Sequence, residues 1–121
     1  MDYKLLTAPC GLFCGVCYSY KNGKCKGCRD ENGKCLVTKW MDNEGECKVF
    51  LCTEEKGIHN CGQCGDFPCD NLHPYLDMAD KVYHNQKVFN LCLIKKMGLE
   101  KWAKEKAEKV HETYFKGKWH L

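Results

Sequence analysis

The stretch CGLFCGVC, residues 10–17, places three cysteines within eight positions. Eleven of the chain's 12 cysteines and nine of its 11 glycines lie within residues 10–69, together with only 14 apolar residues other than cysteine. Ordering a backbone costs about 1–2 kcal/mol per residue, more than so few apolar side chains offset. We therefore expect this segment to need cross-links or bound metal in order to fold.

The compartment decides between disulfides and metal. The first residues, MDYKLLTAPC, have neither the basic start nor the apolar stretch of a signal peptide. No apolar run approaches the ~20 residues that cross a membrane. We expect a cytoplasmic protein without a membrane partner, in which clustered cysteines bind metal. A disulfide scaffold, as in secreted proteins, stays open as the alternative.

Three C-x2-C pairs, at residues 14–17, 25–28 and 61–64, are the strongest signal for a metal site. Such a pair forms a tight turn that directs both sulfurs at one ion, and two pairs complete a tetrahedral zinc site. A glycine lies within each pair. Glycine tolerates a positive φ, which suits the turn.

The simplest grouping gives two four-cysteine zinc sites. The first contains both pairs from residues 14–28, and the second joins the pair at 61–64 to two of Cys47, Cys52 and Cys69. Interleaved pairs remain open, and Cys10 has no place in this grouping. The candidate metal ligands are Cys10, Cys14, Cys17, Cys25, Cys28, Cys47, Cys52, Cys61, Cys64 and Cys69.

Three other metal chemistries are alternatives to structural zinc. The spacing C-x3-C-x2-C at residues 10–17 is that of radical S-adenosylmethionine enzymes, but the chain lacks the length and alternation of their barrel. An iron–sulfur protein, in electron transfer or as an accessory to an enzyme, stays open because four cysteines also hold clusters. A zinc-thiolate enzyme needs an open coordination position. Two zinc ions have eight coordination positions, and ten candidate thiols leave none of them obviously open. This favours a binding or adaptor module over an enzyme.

The second half of the chain predicts helices. Leu72, Leu76, Ala79 and Tyr83 recur with helical spacing, and Gly98 ends a later apolar pattern. The expected fold is a small metal-stabilised domain of irregular cysteine-rich zinc loops followed by about three packed α-helices, with little or no sheet. One domain would span residues 1–121, with a metal-binding region at 8–69 and a helical region at 70–116.

The remaining cysteines and histidines carry weaker signals. Cys92 lies among apolar residues of a predicted helix, which favours packing in the core. Cys35 is an exposed thiol or a spare ligand. The histidines show no metal-ligand spacing, and His59, two residues before Cys61, is the best exception.

The formal net charge is +3. Two four-thiolate zinc sites add eight negative and four positive charges, which brings the loaded protein near −1. The basic balance is therefore weak support for a nucleic-acid partner, and another protein is the partner we consider.

The motifs CGLFCGVCYSY, CKGCR and EKGIHNCGQCGDFPCDNL, with C-x4-C between the last two, together resemble the domain-of-unknown-function family numbered 3795. The resemblance covers about residues 8–105, including IKKMGLEKWAKE. It implies a small cysteine-rich prokaryotic protein that binds metal and has no assigned activity. On this resemblance the family cysteines are the ten candidate ligands, and Cys35 and Cys92 lie outside the pattern.

Overall fold

The computed structural model of the protein describes residues 2–34, 47–72 and 84–117. Within these ranges the chain is mainly helical and contains no strand, as the sequence predicts, and one isolated bridge pairs Thr7 with Phe13. The α-helices are α1 (Tyr3–Leu6), α2 (Tyr18–Lys21), α3 (Lys48–Lys56), α4 (His84–Met97), α5 (Leu99–Glu105) and α6 (Ala107–Lys116). Short 3₁₀ helices lie at Cys14–Val16, Cys61–Gln63 and Asp70–Leu72.

The C-terminal helices agree in part with their predicted bounds. The first predicted helix falls mostly on residues 73–83, which lie outside the described residues. Helix α4 ends at Met97, and Gly98 follows with φ +90°, as the sequence predicts. The last predicted helix is divided at Lys106, whose φ of −122° and ψ of −37° separate α5 from α6.

The prediction that Cys92 packs in the core is wrong, because its side chain is exposed. The buried face of α4 instead contains two amides, Gln86 and Asn90, together with Leu91 and Ile94. An apolar pattern cannot show this face, because two of its inward positions are polar.

Helix α3 lies within the region predicted to be irregular. Val49, Phe50 and Thr53 are its buried residues, and Gly57 ends it with φ +67°. Val49, Phe50 and Thr53 have helical spacing, and a glycine follows them, so the sequence does contain a signal for this helix. The prediction of irregular loops rests on the cysteines before and after it.

Two buried clusters hold the elements together, and each combines residues from both halves of the chain. In the first, Leu6 and Phe13 pack with Ile94, Trp102 and Ala107. The Phe13 ring meets Trp102 edge-on, at 5.8 Å between centroids and an interplanar angle of 88°. The cysteine-rich loops therefore pack against the helices as one side of a shared core.

The second cluster lies beside the cysteines. Ala8, Cys10, Val49, Leu72 and Leu91 are buried there. None of the helices within the described ranges combines the length and the apolar character needed to cross a membrane.

Candidate metal centres

Two of the C-x2-C pairs have the same backbone conformation. Cys14–Val16 and Cys61–Gln63 are single 3₁₀ turns. Each is closed by the amide of the following cysteine, which donates to the carbonyl of the first cysteine at 3.0 Å. Because a 3₁₀ helix has three residues per turn, side chains at i and i+3 lie on the same side. The turn therefore directs both sulfurs of a pair to one side.

The glycines inside these two turns are required by close packing. Neither Gly15 nor Gly62 has a positive φ, so the conformational reason expected from the sequence is wrong for both. A Cβ at Gly15 would lie 2.6 Å from the Phe13 ring. At Gly62 it would lie 2.9 Å from Asn60 Oδ1 and 3.2 Å from the Leu91 carbonyl. Both turns are thus seated directly against the two buried clusters.

The pair at residues 25–28 is built differently. Gly27 has φ +100°, a conformation that favours glycine, as predicted for this pair. Its amide donates to Cys25 Sγ at 3.4 Å. A Cβ at Gly27 would lie 3.8 Å from Cys14 Sγ, which places this loop beside the first 3₁₀ turn.

The cysteines of the first predicted group lie near one another. Burial raises the pKa of Cys17, and negative charge on Cys14 and Cys25 raises it further. Cys28 packs against both buried clusters, of which Cys14 belongs to the first and Cys10 to the second. Cys28 therefore lies between the two buried clusters, the second of which also contacts Cys47 and Cys61.

The second predicted group surrounds a small cavity of about 20 Å³, space for about one water molecule. Val49, Thr53 and Phe67 contribute to its walls, and Lys56 lies at its edge. Four cysteines line it: Cys52, Cys61, Cys64 and Cys69.

Cys61 lies near enough to the other thiols of this group for their charge to affect its pKa. Its pKa is raised to about 12, mainly by burial. Negative charge on neighbouring thiols raises it further, in the order Cys10, Cys69, Cys52 and Cys64. Cys10 is thus a fifth thiol near the cavity. Its neighbour Pro9 accepts a backbone hydrogen bond from Cys61 at 3.0 Å.

Cys47 stands apart from the cavity lining. It is the residue before helix α3, packs against the second buried cluster, and donates its amide to the Gly33 carbonyl at 2.8 Å. Of the three cysteines offered as partners for the pair at 61–64, the cavity therefore contains Cys52 and Cys69. Cys35 lies outside the described residues.

Cys64 is the partly exposed thiol at the edge of the cavity. The Asp66 amide donates to its sulfur at 3.4 Å and the Lys56 ammonium at 3.1 Å. These two hydrogen bonds lower the pKa of Cys64. The contact with Cys64 also raises the pKa of Lys56, and Asp66 lies 3.5 Å from the same ammonium. Sequence reasoning missed Lys56, although it lies one helical turn after Cys52.

The grouped thiols do not converge on a single point. Within residues 2–34, 47–72 and 84–117, no three histidine, cysteine or acidic side chains are arranged closely enough to hold a metal ion. Rotation about the Cα–Cβ bond moves a cysteine sulfur between staggered positions without moving the backbone. The structure thus places four cysteines around one cavity, and which cysteines share an ion stays a proposal.

His59 has a structural environment. Its Nε2 lies 2.8 Å from the Lys4 carbonyl, and its Nδ1 lies 3.0 Å from Asn60 Nδ2. Both ring nitrogens therefore have hydrogen-bond partners. Burial lowers the pKa of His59, which favours the neutral ring. This arrangement argues against His59 as the exceptional histidine ligand.

Arg29 follows Cys28 and connects three parts of the chain. Its Nε donates to the Thr7 carbonyl at 3.0 Å, and its Nη2 donates to the His59 carbonyl at 2.7 Å. Burial lowers its pKa, while charge on Cys28 and Glu54 opposes that change. The cysteine spacing does not point to Arg29. The signal that the sequence offers is that Arg29 is the only arginine among 19 lysine and arginine residues.

Comparison with known proteins bears on this cysteine arrangement. The family model described as Protein of unknown function (DUF3795) matches residues 6–74. The chain belongs to this family. The DUF3795 match includes all ten candidate ligands and ends before helix α4, so α4, α5 and α6 lie outside it. Searches of curated proteins and of solved structures found no match.

Proposed function

We propose that this DUF3795 protein is a cytoplasmic zinc-binding module that holds two structural zinc ions. Cys14, Cys17, Cys25 and Cys28 bind the first ion. The second ion binds in the cavity lined by Cys52, Cys61, Cys64 and Cys69. The observation that carries the proposal is that one cavity gathers four cysteines from three separate chain segments.

The surroundings of both groups support this assignment. The 3₁₀ turns direct paired sulfurs to one side, and backbone amides already donate to Cys25 and Cys64. Amide donors stabilise the thiolate form, which is the form that binds metal. A zinc ion would neutralise part of the charge that grouped thiolates accumulate.

Four thiolates for each ion support a structural role for zinc. Catalytic zinc keeps one position for water or substrate, whereas structural zinc is closed by four protein ligands. In a chain with so few apolar residues between 10 and 69, zinc binding supplies folding free energy. The role as a binding or adaptor module for another protein stays a prediction.

The first test is elemental analysis of protein purified without oxygen, read with its visible absorption spectrum. We expect about two zinc ions per chain and no colour. If the protein instead contains iron and sulfide and absorbs broadly in the visible range, the sites hold iron–sulfur clusters and the zinc proposal is overturned. Protein without bound metal would overturn the proposal.

The ligand assignment is tested on one helix with a matched pair of variants. Cys52→Ser removes a cavity thiol within α3, and we expect it to lower the zinc content by about one ion per chain. Cys47→Ser, at the residue before the same helix, should keep both ions. Cys92→Ser, which replaces an exposed thiol of α4, controls for the loss of a thiol. Equal zinc loss in the Cys47 and Cys52 variants contradicts the assignment.

A further inference from the structure

We propose that Arg29 couples the two cysteine groups, so that zinc binding at one favours zinc binding at the other. This inference rests on the proposed zinc sites and adds a positioning residue between them. Its charge interacts with Cys28, Cys14 and Cys10, and its two hydrogen bonds go to the loops on either side of these cysteines.

The first contact orders the N-terminal segment. Arg29 Nε donates to the Thr7 carbonyl at 3.0 Å, and the Thr7 side chain is fully buried. Three residues later the chain reaches Cys10 and the turn at residues 14–17. Since Arg29 directly follows Cys28, ordering the loop at 25–28 also fixes the start of the guanidinium side chain.

The second contact reaches the other group. Arg29 Nη2 donates at 2.7 Å to the carbonyl of His59, 30 residues along the chain. The His59 amide donates to Gln63 Oε1 at 2.7 Å, and Asn60 Oδ1 accepts from Gly62 at 2.9 Å. These bonds hold the 3₁₀ turn that carries Cys61 and precedes Cys64. Arg29 is therefore hydrogen-bonded to His59, two residues before the second 3₁₀ turn begins.

A third contact closes the connection. The Cys61 amide donates to the Pro9 carbonyl at 3.0 Å, so the segment that Arg29 holds at Thr7 also pairs with the second turn. Ordering the loop at residues 25–28 positions the Arg29 donors for the His59 carbonyl. Ordering the second turn positions that carbonyl, and the Cys61 amide that donates to Pro9. The second ion then binds to a chain that has already lost part of its conformational freedom, which is positive cooperativity.

The chemistry of arginine explains why this position differs from the chain's 18 lysines. A planar guanidinium presents several N–H groups in a fixed fork and can donate to two carbonyls at once. Lysine keeps the charge but carries one ammonium on a flexible stem. Arg29→Lys therefore removes the double contact while it preserves the positive charge beside Cys28.

The test is native mass spectrometry of metal-free, reduced protein during titration with Zn²⁺ alone. At half-saturation, two equal and independent sites leave about half of the molecules with one ion. If the first ion raises the affinity for the second tenfold, that share falls to about a quarter. We expect the low share in the wild-type protein and about half or more in Arg29→Lys, with two ions at saturation in both. Lys24→Arg, an exposed residue of the same loop, is the matched control and should behave as wild type.

The outcomes separate the two proposals. A wild-type protein that binds no zinc overturns the zinc sites and the coupling together. One that binds two ions independently, or an Arg29→Lys variant with the wild-type share of one-ion molecules, overturns the coupling and leaves the sites.

A second measurement applies if Arg29→Lys does not fold. Cys64→Ser disables the second site, and Zn²⁺ is then added to the first. We expect the amides of residues 59–64 to exchange hydrogen more slowly after this addition. Unchanged exchange at these residues overturns the coupling.

Discussion

Asn90 is a buried amide at the contact between α4 and the loop after Cys10. Only 1% of its surface is exposed. Its Nδ2 donates to the Gly11 carbonyl at 2.9 Å, and its Oδ1 accepts from Trp102 Nε1 at 3.3 Å. One side chain thus satisfies two buried groups from distant parts of the chain.

Replacing Asn90 by leucine should leave the Gly11 carbonyl and the Trp102 indole N–H without these partners. Each unsatisfied buried group costs about 1–3 kcal/mol, so we expect the loss of two to lower the free energy of unfolding by about 2–6 kcal/mol. Denaturant unfolding of the metal-loaded protein measures it. Asn85 lies on the same helix as Asn90 and makes an exposed hydrogen bond to Tyr114 of α6. Asn85→Ala should cost less than about 1 kcal/mol. Equal losses in both variants contradict the role of Asn90.

Gly11 combines a positive φ with close packing. Its φ is +94°, and a Cβ there would lie 2.7 Å from the Lys87 carbonyl and 2.8 Å from Leu91 Cγ. Gly23 has a similar φ of +79° but open space around it. We expect Gly11→Ala to destabilise the fold by at least about 2 kcal/mol more than Gly23→Ala, because only the former overpacks the core. Comparable denaturation midpoints for the two variants would disprove the close approach.

At the scale of the element, α6 carries a histidine whose charge is unfavourable in the folded state. His111 stacks on Phe115, with ring centroids 4.5 Å apart. Burial lowers the pKa of His111, and the positive charges of Lys116 and Lys21 lower it further. The negative charges of Glu112 and Glu108 have a smaller, opposite effect. The unfolded chain has an ordinary histidine pKa of about 6.5.

The sign of the pH effect follows from these pKa values. Below about pH 6.5 the unfolded state takes up the His111 proton more readily than the folded state, so acid destabilises the fold. We expect the wild-type protein to lose stability relative to His111→Gln as the pH falls from about 7.5 to 5.5. The measurement is the difference between the free energies of unfolding of the two proteins at each pH. His59 and the thiols are present in both, so their contributions cancel in this difference. A difference that is constant with pH, or of opposite sign, contradicts the environment of His111.

The elements also show what a sequence can and cannot predict. The end of α4 at Gly98 and the exposed pair Glu100–Lys104, at 2.8 Å, follow from local signals. The exposure of Cys92 does not, because Gln86 and Asn90 occupy the inward positions that apolar residues usually fill. The grouping of Cys52 and Cys69, and the bridge from Arg29 to His59, depend on contacts between distant segments. Spacing along the chain carries no information about such contacts.

At the scale of the whole molecule, both buried clusters combine the two halves of the chain. Leu6 and Phe13 need Trp102 to complete one cluster, and Ala8 and Cys10 need Leu91 to complete the other. The sequence alone suggests that metal removal unfolds the cysteine-rich half. On the proposed zinc sites, we expect the shared clusters to extend that loss to the helices.

Complete removal of metal by a chelator should therefore unfold residues 2–34, 47–72 and 84–117 together. Structural zinc contributes roughly 10–16 kcal/mol per site, which equals or exceeds the usual stability of a domain of about 5–15 kcal/mol. Hydrogen exchange with mass spectrometry follows all three ranges, and re-addition of Zn²⁺ controls for irreversible loss. Helices that stay protected while the cysteine-rich ranges exchange freely would show that the halves fold separately.

The shared clusters also bear on how the protein is made. Phe13 leaves the ribosome about 90 residues ahead of Trp102, its partner in the first cluster. At translation rates of about 5–20 residues per second, roughly 5–20 s pass before that partner is synthesised. Throughout this interval the nascent cysteines are exposed to oxidants and to whatever metal the cell supplies. On the proposed zinc sites, we expect the time at which zinc reaches the growing chain, as well as its affinity, to determine how much of the protein folds.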